Sequence, residues 1–161
     1  MFLFRWPSAK DWSYALLCVL GFAAVALPFG LWSGSYRWAP NLFSPELLRV
    51  ALVALVLPAL MEELVFRGPL IWWREKRGTV PNWVVFVSLA AFVAWHPINA
   101  VTFMPQAADT FLDWRFLLVT TLFGAAATIM TLRTQSLWPA IVFHWVLVVA
   151  WKGLLGAPSF L

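Results

Sequence analysis

Five side chains stand where an otherwise apolar sequence should carry none: Glu62, Glu63 and Arg67 in one run, His96 at the end of a second, and His144 in a third. An ionisable group near the middle of a bilayer costs at least about 2.5–3.5 kcal/mol on insertion scales, so each needs a reason to be there. In Glu62-Glu63-x-x-x-Arg67 the second glutamate and the arginine are four positions apart, share a helix face and can pair. Glu62 points about 100° away from Glu63. One carboxylate is thereby neutralised and the other is left over. A purely structural ion pair accounts for Glu63 and Arg67 but not for Glu62. Taken singly, His96 and His144 each read as a satisfied core residue. They are the only two histidines, however, and both accompany the same carboxylates within apolar runs.

This set suits hydrolysis of an amide by activated water. A partly buried carboxylate can act as general base on the water. A histidine can orient that water, or donate to the oxyanion formed as the carbonyl becomes tetrahedral. The arginine-paired carboxylate can hold the first one in place. Covalent catalysis fits less well, because no serine or cysteine occupies a nucleophile motif beside these groups. Zinc is the competing reading, since Glu and His are good ligands and a catalytic site needs three plus an open position. No His-Glu-x-x-His pair is present, and Arg67 would repel a cation. The expectation is therefore chemistry without a metal or other cofactor.

The elements that must position these residues are membrane helices. Hydrophobic residues make up 63% of the 161-residue chain and charged residues 11%, against about 25% charged in a soluble domain. So much apolar surface exceeds what one core of this size can hide, and the excess must face lipid. Many of the twelve tryptophans, among them Trp6, Trp32, Trp38, Trp72 and Trp114, fall near expected helix ends, where amphipathic rings favour the headgroup level. The net charge of +4 comes from basic residues at helix ends and is no nucleic-acid signal. Cys18, the single cysteine, excludes an intrachain disulfide and reads as a packing residue.

A span needs about 20 predominantly apolar residues, and five segments approach that. They run from Ser13 to Trp32, from Ser44 to Trp73, from Asn82 to His96, from Trp114 to Leu132 and from Leu137 to Leu155. The second opens on an N-cap serine with Pro45 at the first helical position, and Pro97 punctuates the third. The fold expected is an all-α polytopic transmembrane bundle of about five spanning helices, forming a single domain over residues 1–161. A cleaved signal peptide at the first segment is disfavoured by its long apolar stretch. Arg5, Lys10, Arg74, Lys76, Arg77 and Arg133 collect on one side, and Arg37, Arg49, Arg115 and Lys152 on the other with Asp109 and Asp113. That bias places the N-terminus in the cytoplasm.

Glu62-Glu63-x-x-x-Arg67, then Phe92-x-x-x-His96, then His144 in a later helix resemble the three motifs of the CAAX protease and bacteriocin-processing family. These are glutamate-type intramembrane proteases related to the Ras-converting enzyme. The stretch from Leu132 to His144 is especially similar to the family's last conserved region, and the likeness covers about Leu57 to Val148. The resemblance implies an intramembrane endopeptidase. Glu62 would be its general base and His96 would share activation of the water. Glu63 and Arg67 would support the site, His144 would stabilise the oxyanion, and Phe92 would pack beneath. It also implies a membrane-tethered peptide or protein substrate, either a lipidated tail or a C-terminal sorting signal. The location implied is the bilayer of a bacterial inner membrane, without nucleic acid.

One position departs from the family pattern. An asparagine or aspartate is usual four residues after the last histidine, where this chain has Val148. Losing one oxyanion donor costs about 10²–10³ in rate. Asn99 and Thr128 are the candidate replacements. The departure also keeps open a non-catalytic immunity or scaffold protein of the same fold. A small transporter is a weaker alternative, because inverted repeats and a second broken helix are lacking. There is a geometric tension too. Counted at 1.5 Å per residue from the cytoplasmic ends, His96 lies about 20 Å deep and His144 about 10 Å. The segment from Gly78 to Pro81 is expected to be drawn into the bundle to close that gap.

Overall fold

The computed structural model describes residues 3–158. Every regular element among them is helical. The first helix, α1, spans Ala9–Trp32. It begins before the hydropathic run because Ser8 and Asp11 form a reciprocal cap. The Ser8 hydroxyl accepts from the Asp11 backbone N–H at 3.2 Å, and the Asp11 carboxylate accepts from the Ser8 N–H at 2.9 Å.

The second segment was expected as one helix and is broken twice. Helix α2, Pro45–Ala54, starts as the sequence predicts, with the Ser44 hydroxyl accepting from the Leu47 N–H at 3.1 Å. A kinked stretch, Leu55–Leu60, follows, in which Leu57 is extended at φ −123° and ψ 108°. Pro58 is the cause, since its ring disfavours helical geometry in the residue before it. Helix α3, Met61–Phe66, carries both glutamates. A second break at Arg67 (φ −106°) leads into α4, Gly68–Arg77, which has Pro69 in its first turn.

Helix α5, Asn82–Thr102, runs through Pro97 rather than stopping at His96. A short helix, α6 (Ala108–Phe111), precedes α7, Trp114–Thr134, and α8, Trp138–Leu154. Helices α1, α5 and α7 are long and apolar enough to cross a membrane, and α8 is a shorter apolar helix. Large apolar side chains such as Leu16, Phe86 and Ile129 face outward, as the lipid-facing surface of a bundle requires. The chain is thus an all-α membrane bundle. Helix α7 packs against α1, α5 and α8, around Phe92, Phe123, Ala127, Met130, Ala140 and Phe143.

The expectation for Gly78 to Pro81 is overturned. Gly78 and Thr79 are exposed, and nothing lies within 4 Å of where a Gly78 side chain would begin. The depth gap closes at α8 instead. Its start is sunk beneath an N-terminal strap, with Leu137 fully buried and its N–H donating to the Leu3 carbonyl at 3.0 Å. The Ser136 hydroxyl donates to the Arg5 carbonyl at 2.6 Å, and the Arg5 guanidinium donates to the Thr134 carbonyl. Counting residues from the start of α8 therefore understates how deep His144 lies.

Candidate active site

The break at Leu55–Leu60 sets the site, because it re-aims the helix that carries Glu62 and Glu63. Glu63 and Arg67 are both completely buried. The Arg67 Nη1 donates to Glu63 Oε1 at 3.2 Å and Nη2 to the Gly124 carbonyl at 3.2 Å. The guanidinium also stacks over Phe92, 3.9 Å from the ring centroid. The pairing read from their four-residue spacing is present, and α7 completes it through a backbone carbonyl that sequence spacing cannot reveal.

His144 joins this pair from α8. Its Nδ1 lies 3.0 Å from Glu63 Oε1. Since that carboxylate is an acceptor in its ionised form, the nitrogen is a donor, and Nε2 is the atom left to face Glu62 Oε2 at 4.0 Å. That separation is too long for a direct hydrogen bond. Glu62 is differently placed from Glu63. Its Oε1 accepts from the Trp95 indole at 3.2 Å, and its Oε2 makes no hydrogen bond among the described residues. Trp95 is a partner that sequence reasoning missed, and nothing in its flanking residues signals a bond to a carboxylate 33 positions earlier.

His96 sits 9% exposed on α5 with its Nδ1 3.1 Å from the Phe92 carbonyl. A carbonyl only accepts, so Nδ1 carries the proton, and in the neutral ring Nε2 presents its lone pair. Phe92 packs against both imidazoles, with ring centroids 5.3 Å from His96 and 6.2 Å from His144.

Glu62, His96 and His144 line one cavity of about 660 Å³. Glu63 and Arg67 lie behind it. Of the two replacement donors proposed for Val148, the structure separates the pair. Asn99, one turn beyond His96, lines the cavity at 9% exposure. Its side-chain amide makes no hydrogen bond among the described residues, while its carbonyl accepts from Phe103 and Met104. Thr128 is 2% exposed and is not part of the cavity wall. Val148 is in the wall and packs with Val50 and Ala54 of α2. For the zinc reading, no group of three His, Cys, Asp or Glu side chains among the described residues is arranged to hold a metal ion. Glu63 is already committed to Arg67 and His144.

Fold and site together define a helical membrane protein with an acid–base cluster at the inner end of an apolar cavity. Residues 44–150 match the family model described as Rce1-like, type II CAAX prenyl endopeptidase. The chain belongs to this family of membrane proteases. Comparison with curated proteins and with solved structures gave no match.

Proposed function

We propose that the protein is a glutamate-type intramembrane endopeptidase that cleaves a membrane-tethered peptide or protein by activated water. The observation that carries this reading is the unequal treatment of the two glutamates. Glu63 is fully buried behind the cavity with its Oε1 held by Arg67 and His144, while Glu62 lines the cavity with its Oε2 4.0 Å from His144 Nε2. In the reaction Glu62 takes a proton from water and the hydroxide adds to the scissile carbonyl carbon. His96 Nε2 helps to hold the water. The oxyanion is met by His144 Nε2, when that ring carries both protons, and by the Asn99 amide. Collapse breaks the C–N bond, and the proton held by Glu62 passes to the leaving amine. The products are a carboxylic acid, which ionises in water, and a free amine.

Co-expression with membrane-tethered candidate substrates, both lipidated tails and C-terminal sorting signals, tests this. Substrate termini are read by mass spectrometry for the wild type and Glu62→Gln at equal protein levels, with and without a chelator. Cleavage that survives chelation and disappears in Glu62→Gln is the expected result. Normal cleavage by Glu62→Gln removes the general base. Cleavage stopped by chelation and restored by zinc brings back the metal reading. A second reading, a non-catalytic protein of this fold, is favoured by Val148 alone, and silence across the substrate panel would select it.

A further inference from the structure

The cavity has one closed end and one open end, and the two ends differ in charge. Beyond Glu62, His96 and His144, its walls are the turn after α1 at Ser35 and Tyr36, the segment after α5 at Asp109 and Phe111, and the start of α7 at Asp113 and Arg115. All of these lie at the end of the bundle where α1 and α5 finish and α7 begins. No residue of the opposite end lines it among the described residues. That opposite end is sealed by the N-terminal strap. Leu3, Ser136 and Leu137 are buried there, joined by the hydrogen bonds from Leu137 to Leu3 and from Ser136 to Arg5. The Arg74 guanidinium adds a 2.9 Å bond to the Leu132 carbonyl.

The sealed end carries six lysines and arginines and two acids, Asp11 and Glu75. The open end carries four cations and three acids, Glu46, Asp109 and Asp113. At the mouth the Arg115 guanidinium is held by Asp113 at 2.5 Å and donates to the Ser33 carbonyl at 2.8 Å. Lysine and arginine excess marks the cytoplasmic side of a membrane protein. The closed end is then cytoplasmic and the mouth faces outward.

One wall of the cavity is formed by the kinked stretch and α3. Leu57, Met61 and Val65 line it and are 57%, 44% and 56% exposed. These residues belong to the kinked stretch and α3. Helix α5 is joined to α3 by the bond from the Trp95 indole to Glu62. Non-helical backbone at membrane depth persists only where protein covers it or a cavity adjoins it, and the extended Leu57 adjoins this cavity.

Resting on the protease reading, we infer that the substrate is a membrane-anchored protein that enters sideways between the kinked stretch and α5 and is cut on its extracytoplasmic side. A lipidated tail in the cytoplasm faces the sealed end and is not the substrate. An opening on that side admits the apolar anchor. The outward mouth admits the polar segment that precedes or follows it.

Two measurements on the full-length protein in cells test this. In a Cys18→Ala background, Asp109→Cys and Ser35→Cys place thiols at the mouth, and Lys76→Cys places one at the sealed end. A membrane-impermeant maleimide applied to intact spheroplasts should label the first two, and Lys76→Cys should remain unlabelled until lysis. The reverse pattern overturns the orientation. Two single-span reporter libraries then carry the same randomised segment next to the anchor, outside the cell in one and cytoplasmic in the other. Cleavage lost in Glu62→Gln is expected only in the outward library. Such cleavage confined to the cytoplasmic library overturns the substrate assignment and leaves the protease reading standing. Cleavage in neither library, with the maleimide arriving from outside, removes the protease reading and this substrate class with it.

Discussion

Replacing Arg67 with methionine isolates what the buried ion pair contributes. Arg67 is fully buried, 3.2 Å from Glu63, 3.2 Å from the Gly124 carbonyl and stacked 3.9 Å over Phe92. Methionine replaces much of the apolar stem and none of the donors. Glu63 would keep only His144, at 3.0 Å. Removing one partner of a buried pair costs about 3–5 kcal/mol, because the other charge stays buried and uncompensated. The lower end applies here, since His144 still bonds the stranded carboxylate and Glu63 can escape by taking up a proton, so we expect a loss of about 3 kcal/mol. Adding Glu63→Gln removes that charge and should recover about 2 kcal/mol, making the two changes strongly non-additive. Reversible unfolding of all four proteins in mixed micelles, followed by tryptophan fluorescence and circular dichroism, measures the cycle. The reasoning is refuted if Arg67→Met lies within about 0.5 kcal/mol of the wild type, or if the coupling is under about 0.5 kcal/mol.

Asn99→Leu should lower kcat about 10²–10³-fold while leaving the fold intact, and Val148→Asn in that background should restore part of the rate; initial rates on a cleaved substrate check both. Gly124→Ala should lower stability by about 1–3 kcal/mol in the same unfolding assay, because its new carbon would stand 2.7 Å from Leu89, 2.9 Å from Phe92 and 3.2 Å from Arg67 Nη2.

The local half of the site was legible and the long-range half was not. Glu63 and Arg67 could be paired from their spacing, and the start of α2 from Ser44-Pro45, because both follow from contacts within one helical turn. The tie between Glu63 and His144 spans 81 positions, and no periodicity encodes it. Helix ends were misplaced where hydropathy was weighed above capping. Ser8 and Asp11 are a capping pair in plain view, yet the apolar run alone suggests Ser13. Pro97 was given the opposite error. It has no N–H for the Val93 carbonyl, but a bundle interior tolerates that better than water does, and α5 continues to Thr102.

Pro58 shows why these errors are connected. Glu62 and Glu63 lie on one helix, α3, about 100° apart, so the break before it sets the direction of both and not the angle between them. The break at Leu57 frees α3 from the direction of α2, so Glu63 reaches Arg67 and His144 while Glu62 meets Trp95 and the cavity. Leu57 and Met61, at and just after the break, line the cavity and are largely exposed. Aimed this way, α3 turns Glu63 to the ion pair and Glu62 to the cavity, so two neighbouring carboxylates on one helix stand in different surroundings.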